Sequence, residues 1–348
     1  MLKVFEAYKE IVRADKKPLI VLDEVQEVKN WEKFVRSVHE KDEAKIIVTG
    51  SSSKLMSEEF ATLLTGRTIE IKLFPLSFAE FLKFNNIEIK EQFEALIKKE
   101  ELIKLLREYV EFGSFPEVTL ESNEKLKKEI ARKIYEDSLF KDVAKRYRIR
   151  NIVKLETLAK YYLSNISSPI TFNRISKFLK LPVKTVELYS KYLETSNLLF
   201  FLKRFSFSVK MQENSPRKVY AVDVGLPNTI GFRFLENYGK LMENIVTIEL
   251  LRKKFYFSPL FEVYYYKAND KEVDFVLKEG LKIKQLIQAC YNIEDFNVKE
   301  RELNALVKAS KELKCKNLLV ITWDYESVEE FKNKKIKFLP LWKWLLFT

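Results

Sequence analysis

The chain has 348 residues, of which 47% are hydrophobic and 14% aromatic, so it can bury the cores of about two or three domains and is not a disordered protein. Its formal net charge of +12 at pH 7 favours polyanionic partners such as nucleic acid, although lysine enrichment for solubility would give the same balance. Two cysteines, Cys290 and Cys315, and a single histidine, His39, exclude zinc centres, disulfide frameworks and histidine-based catalytic triads. Because no apolar run is long enough to span a bilayer, we expect a cytoplasmic protein with no membrane partner.

Residues 1 to about 75 alternate between helix and strand, a pattern that predicts part of a parallel sheet. The segment FEAYKEIVRAD predicts a helix, PLIVLD a strand, WEKFVRSVHEK a helix and KIIVTGSS a second strand. A strand, a crossover helix and a strand of this length form a right-handed parallel unit. From about 76 to 150, helical periodicity continues throughout and predicts a region without strands.

Residues 151 to 212 predict a winged helix-turn-helix. Three helical segments, VKLETLAKYYLSN, SPITFNRISKFLKL and PVKTVELYSKYLETSN, precede the apolar stretch LLFFLKRFSFS, which predicts a β-wing. Residues 213 to 348 predict an α/β domain with a long helix, GKLMENIVTIELLRKKF, followed by a strand meander of VYYYK, KEVDFVLKEG and QLIQACYN. A further helix and terminal strands complete it, so the fold class is a multidomain α/β protein.

Polar side chains follow the two predicted strands of the N-terminal region. The first strand ends in Asp23 and Glu24, and the second is followed by Thr49, Ser51 and Ser52. The carboxyl ends of parallel strands meet at one edge of a sheet, where open α/β sheets bind ligands. Downstream, the segment LLTGR places Arg67 in a tight turn, from which a guanidinium could reach a phosphate. The alternative is structural, because buried strands often end in acidic residues and an arginine often pairs with a carboxylate.

These motifs carry a resemblance. The stretches LDEVQEVKNWEKFVRSV, IIVTGSSSKL and PLSFAEFL, then GSFPEV and KVYAVDVGLPN, resemble the archaeal and bacterial AAA-type (P-loop) ATPase family that carries a winged helix and a C-terminal domain of unknown function. The resemblance implies a partial ATPase core over residues 1–75, a helical lid over 76–150, and ATP and Mg²⁺ as cofactors. It implies that Asp23 is the Walker B magnesium ligand and Glu24 the catalytic base. It further implies that Ser51 or Ser52 is the sensor and Arg67 the arginine finger.

One family motif is absent from the sequence. A phosphate-binding loop needs G-x-x-x-x-G-K-[ST], because glycine lets consecutive backbone N–H groups close around phosphate. Gly50 is the first glycine of the chain, and Lys54 in GSSSKL is followed by Leu55 with no second glycine before it. We therefore expect an N-terminally truncated family member that does not hydrolyse ATP alone. We also expect an apolar sheet edge near Met1 that drives self-association or binds an upstream fragment completing the core.

The predicted helix-turn-helix has cations where phosphate contacts are made in DNA-binding modules of this type. The third helix carries Lys184, Thr185 and Lys191, and the wing carries Lys203 and Arg204. These five residues are candidates for DNA contact. The alternative is that the module packs between domains.

Acidic residues in the C-terminal region have the layout of a restriction-endonuclease-like metal site. Glu243 lies on the long helix, Asp274 on one strand, and Gln288 and Cys290 on the next. The domain resembles a degenerate nuclease, in which Glu243 and Asp274 would hold a divalent metal by oxygen ligation. Gln288 is uncharged, however, and Cys290 replaces the usual lysine, so an inactive nuclease-like scaffold is the alternative. The three functional hypotheses are an AAA-type ATPase, a non-catalytic DNA-binding protein and a metal-dependent nuclease.

Overall fold

The computed structural model describes residues 1–12, 16–25, 28–50, 68–232, 237–258, 260–269 and 271–348. The chain divides into two compact units, Met1–Lys72 and Leu73–Thr348. It is a mixed α/β protein with three separate sheets among these residues. In the described part, every helix is too short or too polar to cross a bilayer.

The N-terminal unit contains a parallel pair of strands with a helix between them, which confirms the predicted βαβ arrangement. Its elements are α1 (Leu2–Val12), β1 (Leu19–Leu22), α2 (Trp31–Glu40) and β2 (Lys45–Val48). The register pairs Leu22 with Val48, so the residues after both strands lie at one edge. One sheet face packs on a core that includes Trp31 and Val38, whereas Leu19, Val21 and Ile47 on the other face are exposed.

The second unit begins with a helical region, as predicted, and the described residues from 68 to 150 include no strand. Ser77 starts its first helix with a capping box, in which Ser77 and Glu80 exchange side-chain and backbone hydrogen bonds. The region contains α3 (Phe78–Phe84), α4 (Gln92–Ile97), α5 (Lys99–Phe112), α6 (Pro116–Leu120), α7 (Glu124–Asp137) and a π-helix (Ser138–Lys145).

Three helices and a small antiparallel sheet follow. They are α8 (Ile152–Ser164), β3 (Ser168–Ile170), α9 (Phe172–Leu179), α10 (Val183–Thr195), β4 (Leu199–Leu202), α11 (Val209–Asn214) and β5 (Arg217–Ala221). The sheet order is β3–β5–β4. Because β5 is its central strand, the boundary placed between residues 212 and 213 separates two strands of one sheet.

The C-terminal part is built on a six-stranded mixed sheet of order β10–β11–β9–β8–β7–β6. Its elements are α12 (Gly225–Thr229), α13 (Tyr238–Phe257), β6 (Phe261–Ala268), β7 (Lys271–Glu279), β8 (Lys282–Cys290), α14 (Phe296–Glu312), β9 (Leu318–Thr322), β10 (Ser327–Phe331), β11 (Lys334–Pro340) and α15 (Leu341–Phe347). The predicted meander β6–β7–β8 is confirmed as antiparallel, and β8 then pairs with β9 in parallel.

Two sequence motifs that lie far apart in the chain meet in a buried junction. Asp223, in the segment AVDVGLPN, accepts hydrogen bonds from the Ser114 backbone N–H at 2.6 Å and from its hydroxyl at 3.1 Å. Asn228 donates through Nδ2 to the carbonyl oxygens of Val110 at 3.0 Å and Glu111 at 2.8 Å. The junction fixes the end of α5 against the segment that follows β5.

Candidate functional site

The first candidate site lies at the carboxyl edge of β1 and β2. The Thr49 hydroxyl donates a short hydrogen bond to Asp23 Oδ1, and the Glu24 backbone N–H donates to Thr49 Oγ1 at 3.3 Å. The Thr49 N–H in turn donates to the Leu22 carbonyl at 2.8 Å, which continues the parallel ladder beyond the strands. The strand register therefore places Asp23 and Thr49 side by side. Both Asp23 and Glu24 are exposed at this edge.

The backbone turns sharply directly after β1. Glu24 has a φ of 45°, in the left-handed region that residues other than glycine, asparagine and aspartate seldom adopt. Strained backbone of this kind clusters at functional sites. The chain thus turns away directly after Asp23, and the carboxylates stay at the end of the sheet.

The other residues assigned to this site, Ser51, Ser52 and Arg67, lie outside the described residues. Thr49, directly after β2, lies next to Asp23. The sensor role that the resemblance gives to Ser51 or Ser52 stays a prediction. The signal that identifies Thr49 is the register itself: Leu22 pairs with Val48, so the first residue beyond β2 faces the first residue beyond β1. Carboxylate and hydroxyl oxygens are ligands that Mg²⁺ accepts, so this edge fits a magnesium–nucleotide complex in its donor chemistry.

The candidate DNA contacts fall into two groups. Lys184 and Lys191 are exposed on α10 and lie seven positions apart, which places them on one helical face, and Thr185 is half-buried. Lys203 forms an ion pair with Glu213 at 2.5 Å, and Arg204 donates through Nη2 to the backbone carbonyl of Lys267. Lys184 and Lys191 are thus exposed to solvent, whereas the wing residues make intramolecular contacts.

The segment after β4 packs along the C-terminal sheet. The Phe205 N–H donates to the Tyr265 carbonyl at 2.7 Å, and the Tyr265 N–H donates to the Lys203 carbonyl at 3.2 Å. Phe205 is buried with Val273 and Val276 in the core of that sheet. The segment after β4 therefore packs on the C-terminal sheet, and the alternative that the whole module packs between domains stays a prediction.

A second candidate site is a buried acidic cluster formed by Glu243 on α13 and by Glu272 and Asp274 on β7. The Lys218 ammonium of β5 lies among them, at 2.8 Å from Glu243 Oε1, 2.7 Å from Glu272 Oε1 and 3.1 Å from Asp274 Oδ1. The Tyr220 hydroxyl donates to Glu243 Oε1 at 2.6 Å. Glu243 and Asp274 are therefore brought together as the nuclease interpretation requires, but with a lysine between them.

Burial and the neighbouring charges together set the charge states of Glu243 and Lys218 in this cluster. Burial, reinforced by the neighbouring Asp274 carboxylate, raises the pKa of Glu243 to about 8. Burial lowers the pKa of Lys218, but Glu243, Tyr220, Asp274 and Glu272 outweigh that effect and raise it well above its usual value. Lys218 is thus a permanent cation, and it offsets the charge of the carboxylates around it.

The neighbouring strand β8 adds no charged ligand. Gln288 Oε1 accepts from the Asp274 N–H at 3.3 Å, and Gln288 Nε2 donates to Glu302 of α14. Burial raises the pKa of the Cys290 thiol to about 12, so it stays neutral. With Lys218 in place, no group of three His, Cys, Asp or Glu side chains among the residues that the structure describes is arranged to hold a metal ion.

Sequence reasoning missed Lys218, Tyr220, Glu272 and Glu302. A signal for the first two exists in the strand RKVYA, where residues two apart share a face. Lys218 and Tyr220 therefore had to face the same surroundings, and a lysine on the face of a buried tyrosine needs an acidic partner. The same alternation joins Glu272 to Asp274 on β7.

Three protein families match consecutive parts of the chain. An AAA domain matches residues 2–82, a domain of unknown function (DUF8612) matches residues 103–235, and a second (DUF4143) matches residues 238–344. The DUF8612 match includes β5, which joins the β3–β5–β4 sheet in the structure.

Similarity over most of the chain extends to uncharacterized proteins of an archaeon and a bacterium. One from Methanocaldococcus jannaschii is 37% identical over 338 residues, covering 94% of this chain and 74% of that protein. One from Haemophilus influenzae is 30% identical over 287 residues, covering 81% of this chain and 68% of that protein. A second M. jannaschii protein is 25% identical over 362 residues, covering 93% and 74% respectively. No solved structure matches the chain.

Proposed function

Because the chain belongs to the family of AAA-domain proteins that carry a C-terminal DUF4143 domain, we propose that its N-terminal unit is the Walker B half of an ATP-hydrolysing site. The observation that carries this proposal is the hydrogen bond from Thr49 to Asp23 at the end of two parallel strands. It presents an oriented carboxylate and a neighbouring hydroxyl where an α/β sheet binds its ligand.

Each residue at this edge has a distinct role in the proposal. Asp23 would hold Mg²⁺, which neutralises phosphate charge when it is bound with ATP. Glu24 would orient and deprotonate the attacking water. Thr49 fixes the Asp23 carboxylate through its hydroxyl and is a positioning residue.

Hydrolysis also needs a phosphate-binding loop, and the motif G-x-x-x-x-G-K-[ST] occurs nowhere in the sequence. We propose that another polypeptide segment, joined to this one or on a separate chain, supplies the loop and covers the exposed sheet face. Leu19, Val21 and Ile47 form that face, and all three are large apolar side chains that are about half exposed.

ATP hydrolysis by the protein purified from its native cells, together with any chain that co-purifies, tests this proposal. We expect magnesium-dependent hydrolysis that Asp23→Asn abolishes, and no hydrolysis by the chain Met1–Thr348 alone. Glu32→Gln, which changes a half-buried carboxylate at the start of α2, is the matched control and should retain activity. Equal rates for the native protein and for its Asp23→Asn variant would refute the assignment.

A second function, DNA association, is favoured by the exposed face of α10. Lys184 and Lys191 present two cations on one face of this helix, and the whole chain carries a net charge of +12. Phosphate contacts of this kind make affinity fall with salt, and each lost contact reduces the salt slope by about one.

Duplex DNA binding measured over a series of salt concentrations tests this second proposal. The double variant Lys184→Ala/Lys191→Ala should weaken binding and lower the salt slope by about two. The matched control is Lys335→Ala/Lys337→Ala on β11, which removes the same charge from another exposed surface. An equal loss in both variants would mean that overall charge, and not α10, determines binding.

A further inference from the structure

The acidic cluster of the C-terminal part has a cation of its own. We propose that the Lys218 ammonium takes the position of a divalent metal, so that this nuclease-like arrangement is a metal-independent structural centre and not a catalytic one. The metal that the nuclease resemblance implies does not fit the residues present, because its place between Glu243 and Asp274 is held by Lys218.

The coordination of Lys218 is complete. An ammonium group has three N–H donors and no acceptor. Lys218 has three carboxylate partners, Glu243, Glu272 and Asp274, all within ion-pair distance. Every donor therefore has a carboxyl oxygen as its acceptor, and the cluster needs no further cation to satisfy the lysine.

Burial excludes a second cation beside the first. Lys218 is only 1% exposed, and Glu243 and Asp274 are also buried. A divalent ion at this position would face a fixed ammonium in a medium of low dielectric constant, where like charges repel strongly.

The strand that carries Lys218 shows which elements of the fold the cluster joins. Lys218 and Tyr220 come from β5, the central strand of the β3–β5–β4 sheet, and both contact Glu243. Asp274 also accepts from the Ala289 N–H of β8 at 3.0 Å. The cluster therefore links the small sheet to α13 and to two strands of the six-stranded sheet, as a structural metal often links elements.

The test removes the ammonium in two ways. Lys218→Ala leaves space among three carboxylates, whereas Lys218→Met removes the charge but fills most of the space. Both variants should lower the Tm by roughly 10 °C, because uncompensated carboxylates stay buried. Millimolar Mn²⁺ should restore at least about 4 °C to the alanine variant by binding the vacated position, and little to the methionine variant.

Lys127 provides the matched control. It is a second buried lysine, and Glu108, at 2.7 Å, is its one carboxylate partner among the described residues, so Lys127→Ala should also destabilise the protein but gain nothing from Mn²⁺. An alanine variant at position 218 that folds and shows no more response to Mn²⁺ than Lys127→Ala would overturn the proposal.

The wild-type protein and two variants of its acidic residues give an independent readout if the Lys218 variants do not fold. Its Mn²⁺ binding, measured by equilibrium dialysis, should be the same in Glu243→Gln and Asp274→Asn as in wild type. Chelation should leave the wild-type Tm unchanged. Binding that either substitution abolishes would show that a metal does occupy the cluster, and the proposal would be wrong.

Discussion

Gly113 lies directly against Asp223: a Cβ atom added at position 113 would come 1.8 Å from Asp223 Oδ1. The glycine also has a φ of 83°, which side chains rarely tolerate. The contact explains why the motif beginning GSFP and the motif AVDVG form one junction. Only a residue without a side chain lets the carboxylate reach the Ser114 N–H.

Gly113→Ala should destabilise the protein by more than about 3 kcal/mol, because it combines backbone strain with displacement of a buried carboxylate. Urea denaturation measures the loss. Gly280→Ala is the control: it also has a positive φ, 57°, but open space around it, so it should cost only about 1 kcal/mol. Similar losses at both positions would show that the steric contact with Asp223 is unimportant.

Asp223 should make stability depend on pH. Burial raises its pKa from the usual 3.8 to about 6, although the hydrogen bonds from Ser114 and Gly225 act in the opposite direction. The folded state thus favours the protonated form. The stability contributed by this group is fully present below about pH 4 and is lost as the pH rises through about 6.

Comparison with Asp223→Asn separates the pH dependence of stability that is due to Asp223 from that of the other titrating groups. The free energy of unfolding of wild type relative to this variant should fall by about 1–2 kcal/mol between about pH 5 and about pH 7.5. The variant itself should be less stable at both values, because the new amide N–H₂ faces backbone donors. A difference that does not change with pH would contradict the raised pKa.

Thr49→Val should impair nucleotide hydrolysis by releasing the Asp23 carboxylate. The side chain keeps its shape but loses the hydroxyl that donates to Asp23 Oδ1 and accepts from the Glu24 N–H. Loss of such a supporting group costs roughly 10- to 100-fold in rate. Thr49→Ser, which keeps the hydroxyl, should retain most of the activity measured on the native protein. If both variants are equally impaired, the hydroxyl is not what supports Asp23.

The exposed face of the parallel strand pair should cause self-association. Val21 and Ile47 are 57% and 49% exposed and are neighbours in the register of β1 and β2. Val21→Thr/Ile47→Thr should therefore reduce the oligomer fraction in sedimentation velocity without much loss of stability. Ile20→Thr, on the buried face, should instead destabilise the unit. An unchanged oligomer fraction in the double variant would assign association to another surface.

Much of the architecture follows from local sequence patterns. Asp23 and Thr49 could be located from the apolar strands that precede them, because a parallel pair ends at one edge. Strand β10 was not predicted, since Ser327–Phe331 is an edge strand whose two adjacent glutamates break the alternation of a strand with one buried face. The π-helix was not predicted either, because its periodicity continues that of α7.

The acidic cluster could be predicted only in part. The layout of a restriction-endonuclease-like metal site predicts Glu243 and Asp274. It places the lysine on β8, two residues beyond Gln288, whereas the lysine that contacts both residues comes from β5. Lys218 precedes Glu243 by 25 positions, and nothing local indicates which strand reaches the cluster. The packing of the two sheets decides which strand supplies the lysine. That packing joins residues far apart in the chain, and no local sequence pattern indicates it.

The segment between β4 and β5 has a consequence for aggregation. Strand β6 is the edge of the six-stranded sheet, and such an edge offers unpaired N–H and C=O groups to a strand from another molecule. At the middle of that edge, the Phe205 N–H and the Lys203 carbonyl form hydrogen bonds with the backbone carbonyl and N–H of Tyr265. The segment therefore blocks the pairing of β6 with a strand from another molecule. A shorter segment would leave these backbone groups of β6 unpaired, and a strand from a second copy of the protein could then pair with them.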